Sequence, residues 1–309
     1  TQFGGASAGR ASVEYHDSRP VAVNTALKWF PDRRGLTTGA GTMAFAGGSV
    51  MFVPYVRANA TVEGYSSVLL TMGAVIAVGV FVSALVIRDP PTDWVRTVQD
   101  ETATDDDDDP SVLTDKQYTW REVLQTHQFW VMYGMFVAVS GAGLMLTAKL
   151  VSFAQVLDVS AGIATLSATL LPVAAGVGRL VMGDISDRVR RERAMAISFV
   201  LLGLGLVAVI VAARIGSGVG FVAAVVVATF FWAPQYTLFP SLVGDYYGRE
   251  HSSANYALLY SGKMWGGVFG GTATGWLVTV IGWTQTFFVG ASLAILAGIT
   301  AVALRPPAQ

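Results

Sequence analysis

Residues 178–214 read GRLVMGDISDRVRRERAMAISFVLLGLGLVAVIVAAR, and this stretch decides the kind of fold. From Ala194 to Ala213 there is neither a charge nor a proline. Crossing about 30 Å of hydrocarbon at about 1.5 Å per residue takes roughly 20 apolar residues in a helix, and this run is of that length. Just before it, Asp184, Asp187, Arg188, Arg190, Arg191, Glu192 and Arg193 crowd into a short segment that must stay hydrated. The run before that, Ala161 to Met182, holds a single charge, Arg179. Two apolar helices joined by a charged turn form a membrane hairpin.

Working outward, runs of comparable size recur at Leu36–Val56, Tyr65–Ile87, Phe129–Ala148, Ile215–Gly244, Ser252–Ile281 and Thr284–Leu304. Eight spans result, and the fold class is an all-α membrane protein. Long unbroken runs do not alternate as β-barrel strands do. The chain holds 34 glycines, many inside these runs, where they permit close approach of membrane helices. Of 309 residues, 53 % are hydrophobic and 13 % charged, with mean hydropathy +0.52. Soluble domains carry about 25 % charge, so disorder and an ordinary soluble enzyme are excluded. A formal net charge of −1 leaves no basic footprint for nucleic acid. There is no cysteine, and His16, His127 and His251 have no metal-ligand spacing. No Gly-x-x-x-x-Gly-Lys loop occurs. No span offers Cys, His, Asp or Glu, so neither an enzyme's nucleophile–base pair nor a metal or cofactor site is expected at membrane depth.

Orientation follows from the basic residues in the connections. Lys28, Arg33, Arg34, Arg88, Arg96, Lys116, Arg121, Arg188, Arg190, Arg191, Arg193, Arg249 and Arg305 fall on one side; Arg57, Lys149 and Arg214 fall on the other. The first set marks the cytoplasm, and an even number of spans leaves both ends there. Residues 88–128 form a cytoplasmic linker containing the solvated run Asp105–Asp109. Its end, Thr119–His127, reads as a short amphipathic helix at the interface. Residues 1–19 are too charged to span, and 20–27 read as the tail of a helix whose earlier part is missing.

Charges inside a membrane cost a few kcal/mol at the centre and mark function. Lys263 is the sole charge between His251 and Arg305, about 11 residues and roughly 16 Å into its span. It reads as a cation for an anion, with a packed structural lysine as the alternative. Arg179 lies about three residues before Met182, and position alone leaves function and snorkelling equally open. No carboxylate shares a span with either, so the partner is expected from outside: a small carboxylate, gripped by the guanidinium and attracted by the ammonium. Trp232 and Tyr236, at i and i+4, supply flat walls, as do Tyr256 and Tyr260 beside Lys263; an interfacial aromatic belt is the other reading. Pro234 and Pro240 loosen the sixth span. The turn with Gly183, Asp187, Arg188 and Arg191, and the stretch with Asp32, Arg33 and Arg34, read as charged locks between helices, against the plain alternative of positive-inside loops.

Three segments carry a family resemblance: ALKWFPDRRG at 26–35, GRLVMGDISDR at 178–188, and YYGREHSSANY at 246–256 continuing to Lys263. The chain resembles transporters of the major facilitator superfamily, in particular the oxalate:formate antiporter family within the monocarboxylate-transporter group, over about residues 20–305. The resemblance implies twelve helices in two six-helix halves. Here residues 20–87 would supply the end of helix 4 and helices 5 and 6, and residues 129–309 helices 7–12, so that the chain reads as truncated. It implies substrate cations at Arg179 and Lys263, and Trp232 and Tyr236 in an aromatic cage; Tyr260 joins the expected site on its spacing from Lys263 alone. It also implies a monomer in the plasma membrane. The expected function is exchange of small organic anions by alternating access. The absence of an intramembrane carboxylate tilts the reading from proton symport, the first alternative; a non-functional remnant is the second.

Overall fold

The computed structural model describes residues 25–26, 29–30, 33–59, 64–88, 91, 94, 114, 116–248 and 250–307, with backbone alone at 34, 45–47, 49–51, 53–54 and 57–58. Most of the acidic linker and the start of the chain, including the expected helix tail except for helical Thr25 and Ala26, lie outside these residues. The described residues are helical, with no strand among them.

Two long helices come first, α1 (Arg34–Asn59) and α2 (Tyr65–Val86). The short α3 (Trp120–Leu124) leads into α4 (His127–Val156), α5 (Ala161–Ser186) and α6 (Arg191–Arg214). The expected sixth span is divided into α7 (Gly218–Trp232) and α8 (Gln235–Tyr247) at Ala233-Pro234. Pro234 cannot donate a main-chain hydrogen bond and the helix is divided there, whereas Pro240, expected to interrupt the span as well, lies inside a continuous α8. The expected seventh span is α9 (Ser252–Tyr260), α10 (Gly262–Val268), a π-turn at Phe269–Ala273, and α11 (Thr274–Ile281). Gly282, at φ +85°, turns the chain into α12 (Trp283–Ala303).

Among the described residues, six of the eight expected spans are helical segments long and apolar enough to cross a membrane, with Gly218–Tyr247 counted as one across the Ala233-Pro234 break. Of the other two, α1 is one 26-residue helix whose side chains are only partly described, and Ser252–Ile281 is helical but cut into short pieces. The expected helix Thr119–His127 is also shorter. Glu122 accepts from the Thr119 amide (2.9 Å) and hydroxyl (2.8 Å), which starts α3 and holds the Glu122 carboxyl below its ordinary range. The Thr126 hydroxyl accepts from the Phe129 amide (3.3 Å) and so caps α4 instead.

The helices form one packed group, with α12 on α6 and α4, α1 on α5, α7 on α5 and α6, and α10 on α4. Phe129, Phe136, Phe153, Phe199, Phe239 and Phe287 are fully buried between them. By contrast α2 buries only Val68 and exposes Leu70, Ile76, Phe81 and Val86. Each large apolar side chain left in water forgoes about 1.5–3 kcal/mol, so such a helix belongs in lipid or against other helices. The α1–α5 contact is close because Gly35 and Gly183 face each other main chain to main chain, and a Cβ on Gly39 would lie 2.6 Å from the Arg179 carbonyl oxygen.

Candidate functional site

Arg179 and Lys263 arrive from different helices and converge on one ring. The Arg179 guanidinium lies 5.0 Å from the Tyr236 centroid, and Lys263 Nζ lies 4.9 Å from it. Lys263 Nζ also donates to the Tyr260 hydroxyl at 2.9 Å and sits 5.2 Å from that ring's centroid. Cation–π attraction holds both charges over the aromatic faces. The two readings of Arg179 separate here. Helix α5 continues past Met182 to Ser186, Arg179 is only 8 % exposed, and its Nη1 donates to the Thr42 carbonyl of α1 at 2.6 Å. It is therefore held inward rather than snorkelling. Among the described residues, no carboxylate pairs with either cation.

Trp232 and Tyr236 remain neighbours although the helix breaks between them, edge to face with centroids 5.8 Å apart. Tyr260 stacks obliquely on Tyr236 (6.2 Å) and Tyr256 (5.6 Å). Sequence reasoning missed several members of this group. Phe136 of α4 touches both Tyr236 (6.2 Å) and Tyr260 (5.8 Å), and was one phenylalanine among many in apolar runs. Gln235, fully buried, accepts from the Ser140 hydroxyl at 2.9 Å; it is the lone carboxamide in Ile215–Gly244, which was the available signal. Seven buried side-chain polar atoms lack a hydrogen-bond partner among the described residues. Four of them are Arg179 Nε, Trp232 Nε1, Gln235 Nε2 and the Tyr236 hydroxyl, all able to donate. Unpaired buried donors are costly, and two of these, Arg179 Nε and the Tyr236 hydroxyl, belong to residues of the cation cluster, which fits an acceptor-rich anion.

Gly143 also escaped notice. The Trp232 indole occupies the place where a Cβ on Gly143 would stand. Gly143→Ala is expected to displace the indole and to destabilise the bundle by about 1–3 kcal/mol, read as a lower midpoint of thermal unfolding in detergent.

The second group lies where α5 meets the start of α1. Asp187 accepts from the Gly35 amide (2.9 Å) and the Leu36 amide (3.0 Å), so its charge caps the positive end of α1. Arg191 lies 3.6 Å from Asp187, bonds through Nε to Asp245 of α8, and reaches Ser186 Oγ at 3.3 Å. Asp245 had not been singled out from the sequence. Arg188 is apart from this network, pairing on the surface with Asp184 at 2.8 Å, one turn back. Gly183 supplies the close contact with Gly35. Arg33 is exposed just before α1, Arg34 is described by its backbone alone, and Asp32 lies outside the described residues.

The sequence model described as Major Facilitator Superfamily matches residues 18–271 and again 140–309. The oxalate:formate antiporter of Oxalobacter formigenes is 30 % identical over 286 residues, covering 93 % of this chain and 65 % of that protein. An uncharacterized MFS-type transporter of Escherichia coli, YhjX, is 27 % identical over 245 residues, covering 78 % of this chain and 57 % of that one. The chain thus spans less than two thirds of the length of these curated relatives.

Proposed function

The chain belongs to the Major Facilitator Superfamily, and on that premise we propose that it serves secondary active transport of small organic anions, exchanging one carboxylate for another by alternating access. The observation that carries this reading is the pair Arg179 and Lys263. Both lie within 5.0 Å of the Tyr236 centroid, neither has a described carboxylate partner, and Arg179 Nε and the Tyr236 hydroxyl are buried without a hydrogen-bond partner. Lys263 is half-buried, but Arg179 is buried, and an uncompensated buried cation is expensive to keep, so a bound anion is the natural counter-charge. The relative from Oxalobacter formigenes is named for oxalate and formate, and these are the first substrates to try. Exchange is favoured over proton symport because none of the eight expected spans of this stretch holds a carboxylate to relay a proton.

In the same reading, α1 and α2 complete the first half of the transporter and α4 to α12 form the second. The basic residues place the turn between α5 and α6 in the cytoplasm. Asp187 on the end of α1 then closes the cytoplasmic side, and its release opens it.

The test is uptake of labelled oxalate into formate-loaded proteoliposomes that carry the full-length gene product. Lys263→Ala is expected to lower uptake at least about tenfold, and Lys263→Arg to recover part of it, since a point charge near the ring is the requirement. Uptake that is equal in wild type and Lys263→Ala would remove this lysine from the site.

A further inference from the structure

Arg179 uses its nitrogens unequally. Nη1 donates to the Thr42 carbonyl at 2.6 Å, Nε is buried without a partner, and Nη2 makes no hydrogen bond to a described residue. In a guanidinium, Nε and Nη2 lie along one edge, and their parallel N–H bonds match the two oxygens of a carboxylate. Nη1 projects from the opposite corner. We infer that Thr42 is a positioning residue, whose main-chain carbonyl fixes the guanidinium through Nη1 and leaves the Nε–Nη2 edge for side-on capture of a carboxylate. This rests on the reading of Arg179 as an anion ligand.

Thr42 belongs to α1 and Arg179 to α5, so the grip exists only while these helices touch. That contact depends on Gly39, which abuts the Arg179 main chain, and on the meeting of Gly35 and Gly183 one turn further along. Parting α1 from α5 removes the acceptor from Nη1, and the freed guanidinium can swing away from its side-on pose. Carboxylate affinity is therefore highest when α1 and α5 are closed together, and falls as they separate. Thiocyanate, which presents one acceptor atom at a time, gains no second hydrogen bond from the edge and depends on charge alone.

The experiment is equilibrium binding of oxalate, formate and thiocyanate to the full-length gene product in detergent, for wild type, Gly39→Ala and Arg179→Lys. A Cβ at position 39 must push α1 away from Arg179, so Gly39→Ala is expected to weaken oxalate and formate by about tenfold while changing thiocyanate little. Arg179→Lys keeps the charge but loses the edge, so the same selective loss is expected. If Gly39→Ala does not fold, judged by gel filtration, Arg179→Lys decides alone. Equal losses for all three anions in Arg179→Lys, or unchanged carboxylate binding in folded Gly39→Ala, overturn the role of Thr42 while leaving Arg179 as a ligand. Absence of carboxylate binding in wild type overturns the proposed function, and this inference with it.

Discussion

Arg179→Ala is expected to reduce carboxylate exchange by about a hundredfold or more in proteoliposomes. Losing one charged partner from a desolvated pair costs about 2–5 kcal/mol, and each 1.4 kcal/mol is tenfold. Stability is expected to move differently. In the absence of a carboxylate, Arg179 is a buried cation whose described compensation is one main-chain carbonyl and the Tyr236 ring, with Nε left unpaired. Removing it relieves that burden. Arg179→Ala is thus expected to keep or raise the thermal midpoint measured without substrate, while abolishing the further rise that oxalate gives the wild type. A purely structural arginine would behave in the opposite way, with the variant unfolding earlier and transporting in proportion to the protein that survives. Measuring both quantities on one preparation separates the two roles.

The sequence was most legible where the physics is local. The charge-free run Ala194–Ala213 becomes α6 with a turn or less added at each end, because length and apolarity suffice to define a membrane helix. Lys263 stood out because nothing else between His251 and Arg305 is charged, and the structure seats it against Tyr236 and Tyr260. The breaks were less legible. Proline announced the one at Ala233-Pro234, but the π-turn at Phe269–Ala273 has no such marker. It sits where Gly266 and Gly270 press onto the main chain of α4, which is a matter of tertiary packing. The end of α5 was placed too early because Gly183-Asp-Ile-Ser reads as a turn, whereas Asp187 is engaged with α1 and the helix persists to Ser186. Thr42, Ser140, Gly143 and Asp245 were invisible for a common reason. Each matters only through a partner distant in sequence, and in isolation each is an ordinary residue of an apolar run or helix end.

The two charged groups of the structure are joined by α1 and α5, and this makes the glycine contact the most sensitive point of the proposed cycle of closure. Gly35 and Gly183 meet main chain to main chain, so a side chain on Gly183 meets the backbone of Gly35 before anything that can move aside. Gly183→Val is expected to hold the ends of α1 and α5 apart. Asp187→Ala removes the acceptor for the Gly35 and Leu36 amides, and loss of such a cap costs about 1 kcal/mol, a several-fold change in an equilibrium. Val at 183 acts through steric overlap with backbone, and its effect is expected to exceed that of Asp187→Ala, reaching about tenfold or more. The chain contains no cysteine, so a thiol introduced at Thr38, only 8 % exposed in α1, reports the opening of this contact against no background from these residues. Maleimide labelling of Thr38→Cys is expected to accelerate modestly with Asp187→Ala and strongly with Gly183→Val. Asp187→Asn, which keeps one carbonyl oxygen for an amide, is expected to fall between wild type and Asp187→Ala. Labelling at the wild-type rate in both Asp187→Ala and Gly183→Val would mean that these residues only decorate the helix ends and that closure is set elsewhere in the bundle.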